Sequence, residues 1–130
     1  MNKQLPSAAA LGRLLIAAIF LYSGVGKIAA PAMTQAYIAV AGLPLPVVGY
    51  ALAVLVEIGG GILLVLGWQA RIVALVMALF TIAAALSFHN HFADQNQMIH
   101  FMKNLAMAGG LLQVVAFGAG NLSLDARRGR

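Results

Sequence analysis

Four long apolar runs dominate the chain, at about residues 8–29, 47–67, 71–88 and 101–117, and each is close to the roughly 20 residues that an α-helix needs to cross a bilayer. Gly67, the Gly118 to Gly120 stretch and Pro31, Pro44 and Pro46 punctuate the runs as helix starts and stops. The pattern predicts an all-α integral membrane protein: an antiparallel bundle of four transmembrane helices forming one domain over residues 1–130. Between the first two runs, Pro31 suits the first turn of a short helix and Gly42 its end, with Met33, Tyr37 and Val40 on one side. An interfacial or partly re-entrant helix is expected there. The segment from His89 to His100 is the most polar in the chain and is expected outside the hydrocarbon.

Composition sharpens this picture. Hydrophobic residues make up 62% of the chain and charged residues 8%, far below the roughly quarter found in soluble domains, so a soluble monomer is excluded. The formal charge of +5 is scattered among apolar segments and tails, which argues for membrane orientation and against a nucleic-acid footprint. With four spans, Lys3, Arg13, Arg71, Arg127, Arg128 and Arg130 share one side, and Lys27 and Lys103 lie opposite; the positive-inside rule then places both termini in the cytoplasm. A signal peptide with Leu14 to Tyr22 as its apolar core and cleavage near Ala30-Pro31-Ala32 is the weaker alternative for the first run, because the run is long and Lys27 precedes the cleavage point. Cysteine is absent, which excludes dithiol chemistry and thiolate metal sites.

The charges inside the spans carry the candidate chemistry. Glu57 falls about ten residues from either end of its run, near the bilayer centre, where an acid costs roughly 2.5–3.5 kcal/mol on insertion scales. It shares a row with Gly49, Ala53 and Gly61, a small-residue surface that admits a close helix neighbour. Arg13 lies on the row Ala9-Arg13-Ala17, and Lys27, fourteen residues on, falls about 40° around the same helix with Gly24 in its stripe. Packing that face on the Glu57 face is expected to compensate both charges, with Arg13 reaching towards Glu57. Two readings follow: a polar cavity handling a proton or a polar headgroup, or a structural ion pair that fixes helix register. Lys27 by itself reads as a cation snorkelling to the interface. Lys103 and Asn104 open the fourth run, with Lys103 directed outward and Asn104 bonding to a neighbouring helix.

His89, His91 and His100, with Asp94, have ligand-capable chemistry, but their spacing matches no metal signature, so a solvated interfacial loop is the stronger reading and a metal or haem site the weaker. Trp68 suits an aromatic belt, and Met98, Met102 and Met107 suit packing. Gly59-Gly60-Gly61 lies inside an apolar span and speaks of close packing, not phosphate; no catalytic triad or paired-carboxylate pattern is visible.

Arg13 followed by Phe20-Leu21-Tyr22-Ser23-Gly24 and Lys27, Glu57 with Gly60, Gly61 and Gly67, Phe101 with Lys103-Asn104 and Gly109-Gly110, and the ending Gly118-Ala119-Gly120 with Ser123-Leu124-Asp125 occur in an order that resembles the DoxX family of small bacterial membrane proteins. The resemblance implies a four-helix protein of the bacterial inner membrane. The family takes its name from a subunit associated with a terminal quinol oxidase, and some members are linked to membrane redox complexes and oxidative-stress defence. It therefore implies an accessory or scaffold component of a membrane redox or quinone-linked complex, without turnover of its own, whose partners are the lipid bilayer, a redox subunit or further copies of itself. The alternative is a binding or catalytic module whose cavity, lined by Arg13, Lys27, Glu57 and Lys103, holds a quinone, a lipid headgroup or a proton. A small transporter is the least favoured reading.

Overall fold

The structure is a computed structural model that describes residues 5–128. Among these residues it is entirely helical: α1 (Pro6–Ala29), α2 (Pro31–Val40), α3 (Pro46–Leu66), α4 (Ala70–Phe88), α5 (Gln95–Phe117) and α6 (Leu124–Arg128). Proline opens α1, α2 and α3, where its missing N–H has no intrahelical acceptor to lose. Gly42 follows α2 with φ +86° and Gly67 ends α3 with φ +69°, left-handed positions that glycine occupies without a Cβ penalty. The short helix expected after Pro31 is present. Ile38 is buried against Gly49 of α3, while Met33, Tyr37 and Val40 face outward together.

α1, α3 and α4 are each long and apolar enough to cross a membrane. α5 has 23 residues, ample length, but its first half carries Gln95, Asn96, Gln97, His100, Lys103 and Asn104. It also starts six residues before the predicted boundary at residue 101, because Asp94 caps its N-terminus by accepting a 2.9 Å bond from the Asn96 amide. A polar first turn outside the hydrocarbon leaves no apolar signal, so the sequence pattern registers only where α5 becomes hydrophobic. What was expected as a loop up to His100 thus shortens to residues 89–94.

The packing inverts that of a soluble protein. Ala17, Ala70, Ala74, Ala85, Met77 and Leu111 are fully or almost fully buried, while Leu15, Ile72, Leu79 and Leu86 are more than half exposed. In lipid no hydrophobic force drives helices together, so small residues that allow backbones to approach line the contacts and branched aliphatics face the acyl chains. A Cβ added at Gly61 would stand 2.7 Å from Leu21 Cδ2, and one at Gly60 would stand 2.9 Å from Met77 Sδ, which puts α3 hard against α1 on one side and α4 on the other. α4 packs extensively along α5, where Asn104 donates to the Thr81 carbonyl at 3.3 Å.

Candidate functional site

Glu57 stands in the middle of α3, and the backbone there widens into a π-turn over Leu55–Gly59. Such i→i+5 turns are rare and occur frequently at functional positions. Three glycines directly follow Ile58, and with no side chains of their own they let α3 carry the wide turn between two close neighbours. At Gly24 the α1 backbone comes so near that a Cβ would lie 2.6 Å from Ile58 Cδ1 and 3.2 Å from Glu57 Cβ.

The partner of Glu57 is Lys27. Its Nζ lies 3.0 Å from both carboxylate oxygens and donates a further 2.8 Å bond to Ser23 Oγ, one helical turn earlier. The Glu57 side chain is 7% exposed and that of Lys27 26%, so the pair is closed on the acid's side and open on the amine's. Tyr50 of α3 donates at 3.0 Å to the Lys27 carbonyl, which also accepts from the Ala30 amide at the end of α1, and so fixes the backbone carrying the amine. The snorkelling role read for Lys27 is therefore replaced by an ion pair: a carboxylate near the bilayer centre holds the amine more strongly than distant water.

Arg13 does not reach Glu57, contrary to expectation. It is buried, and its guanidinium is spent on backbone carbonyls: Nε donates to Ala119, Nη1 to Leu64 and Val65, and Nη2 to Leu122. Leu64 and Val65 belong to the last turn of α3, where a cation meets carbonyls with spare acceptor capacity and the negative end of the helix dipole. Arg13 thus ties α1 to the end of α3 and to the chain after α5. Asp125 completes the knot from the same tail: its two carboxylate oxygens accept from the Gln69 and Ala70 amides at 2.7 and 2.8 Å, capping α4, while its own amide donates to the Gly67 carbonyl. Sequence reasoning missed Asp125 as a member of this knot, since its partners lie more than 50 residues away.

The remaining candidates stay apart. Lys103 is exposed and separate from the Glu57 pair, and Asn104 serves the α4 contact. Among the described residues no hydrogen bond or ion pair joins Arg13 or Lys103 to the Lys27–Glu57 pair. His89 and His100 stack with ring centroids 5.1 Å apart, whereas His91 is exposed, and among the described residues no three metal-ligating side chains converge. Burial first, and then the neighbouring His100, hold His89 below the usual histidine range, with Gln97 opposing.

Comparison with known proteins fits this arrangement. The family model described as DoxX matches residues 8–90, the stretch that holds Arg13, Lys27 and Glu57. The chain belongs to the DoxX family. Inner membrane protein YqjF of Escherichia coli (strain K12) is 38% identical over 118 residues, covering 88% of this chain and 87% of that protein. Inner membrane protein YphA of the same strain is 32% identical over 123 residues, covering 90% and 87%. No solved structure matches the chain. For this DoxX protein, the apolar helices and the inner-membrane relatives together support an inner-membrane location.

Proposed function

We propose that this DoxX protein is a four-span accessory or scaffold component of a membrane redox or quinone-linked complex, with no turnover of its own. One observation carries the scaffold part: the buried charges of α1 and α3 are consumed by internal bonds, Arg13 on four carbonyls and Glu57 on Lys27, so the outer faces are left to meet partners. The redox character of the partner rests on the family resemblance alone. α5 is read as the fourth span, and the pairing of Arg13 with Leu64 and of Lys27 with Glu57 supports an antiparallel run of α1 and α3. Arg13, Arg71 and the Arg127-Arg128 pair gather at the end bearing the Asp125 knot, which favours that end, with both termini, as cytoplasmic. Lys3 and Arg130 lie outside the described residues. The test is photo-crosslinking from exposed positions such as Leu79 and Leu86 in intact membranes. A discrete adduct with another membrane protein is expected, and adducts with lipid or self alone would refute the reading.

The π-turn at Glu57 and the open side of Lys27 favour a second reading, a binding module in which the pair exchanges its proton or its partner for a polar ligand. A bound quinone, haem or metal in the native mass spectrum, lost in Glu57→Gln, would carry that reading over the first.

A further inference from the structure

A hollow of about 520 Å³ opens at the N-terminal end of α4, bounded by Gln69, Arg71 and Ile72 on one wall and by Phe117, Gly118 and Asn121 on the other. Arg71 commands it. A Cβ built at Gly118 would stand 3.3 Å from Nε and from Nη2 of Arg71, so the guanidinium lies across bare backbone at the rim. Asp125 also borders the hollow, but both its oxygens are taken by the Gln69 and Ala70 amides. Arg71 itself has no ion-pair partner among the described residues. It also occupies the first turn of α4, where the helix dipole disfavours a cation.

A second hollow, about 260 Å³ and wholly apolar, begins one residue further along α4. Ile72 borders both; from it the groove descends between α3 and α4 past Leu63 and Val76 to Gly59 and Leu55. Leu63 to Leu55 spans eight residues, roughly 12 Å of helix at 1.5 Å per residue. Gly59 keeps the groove open, since a Cβ there would meet nothing nearer than Leu55 Cδ1 at 3.8 Å. An unspent guanidinium at the water boundary above an apolar groove is complementary to an amphiphile with an anionic head and a hydrocarbon tail.

We propose that Arg71 and the α3–α4 groove form a binding site for an anionic phospholipid, the phosphate held by Arg71 and one acyl chain laid past Gly59. The site is separate from the Glu57 pair and stands whether or not the scaffold reading holds. Full-length protein, stripped of lipid in mild detergent, is incubated with phosphatidylglycerol, phosphatidylcholine or inorganic phosphate and read by native mass spectrometry. Phosphatidylglycerol is expected to be retained about tenfold over phosphatidylcholine, and Arg71→Gln to abolish the preference while Arg71→Lys keeps part of it, a point charge replacing the bidentate fork. Gly59→Leu, or Val76→Phe on the opposite wall should either change perturb folding, is expected to weaken retention of the lipid with Arg71 intact. Equal retention of both lipids, an unchanged preference in Arg71→Gln, or full retention in both groove variants would overturn the proposal. So would complete displacement of the lipid by millimolar inorganic phosphate, the mark of a free-anion site.

Discussion

Replacing Arg13 by Gln removes the guanidinium that joins α1, the end of α3 and the tail after α5. Of its four acceptors, the Leu64 and Ala119 carbonyls are bonded in fully buried positions and those of Val65 and Leu122 in partly buried ones. The Leu64 carbonyl keeps the Gly67 amide at 3.2 Å, so a buried acceptor is left unpaired at Ala119, at roughly 1–3 kcal/mol, and the partly wetted Val65 and Leu122 cost about half of that each, a loss of about 2–6 kcal/mol before relaxation. The Gln amide recovers at most one bond of this set. Arg13→Lys keeps the charge but offers one ammonium in place of a fork that spans three segments, and is expected to lose about half as much. The assay is equilibrium unfolding in mixed micelles, followed by helical circular dichroism and by proteolysis of the tail beyond Phe117. The tail should become cleavable at lower denaturant than the helices unfold. Because Arg13 and Glu57 do not touch, Arg13→Gln and Glu57→Leu should add within about 0.5 kcal/mol. A loss below about 1 kcal/mol for Arg13→Gln, or rescue of it by Glu57→Leu, would refute the carbonyl knot and restore an Arg13–Glu57 pair.

Lys27→Met should destabilise by about 1–3 kcal/mol, because it strands a carboxylate that is 7% exposed, and the Lys27→Met/Glu57→Leu double variant should recover most of this; a double-mutant cycle in the same unfolding assay measures the coupling, and zero coupling would deny the pair. Gly67→Ala should cost about 2 kcal/mol or more, the left-handed φ of +69° contributing about 1–2 and the clash with Ser123 Cβ at 2.5 Å the rest; an unchanged unfolding midpoint would contradict the close approach. His89 is held below the ordinary histidine value, so the unfolded chain binds its proton first as pH falls. The stability that His89 contributes is present above about pH 6.5 and is lost as pH falls through its lowered folded value. Hydrogen-exchange protection across residues 85–100, taken relative to the intrinsic exchange rate at each pH, should therefore fall between pH 7.5 and pH 5 in the native chain and less so in His89→Gln, and an equal fall in both would place the effect elsewhere.

Three apolar helices, the short helix after Pro31 and the glycine stops were legible in the sequence, because length, hydropathy and backbone freedom are local properties that bilayer thickness and sterics read directly. So was the need of Glu57 for a partner, since an ionised group far inside a span must find company, whereas Lys27 by itself read as a snorkelling cation. The partners were not legible. Helical periodicity places Arg13 and Lys27 on one face, yet which of them reaches Glu57 depends on the axial offset between α1 and α3. That offset is set by Gly24 and Gly61 nesting against Ile58 and Leu21. Asp125 and the carbonyls that hold Arg13 are more than 50 residues from their partners, and backbone acceptors carry no residue-type signature, so only the assembled fold reveals them. The same holds for the π-turn at Glu57, which arises from the fit of α3 between two close neighbours, and for the two hollows that meet at Ile72, each walled by more than one helix. Sequence determined what the membrane demands of each helix by itself; tertiary packing decided which charge answers which, because close contact between small residues fixes register to a fraction of a helical turn.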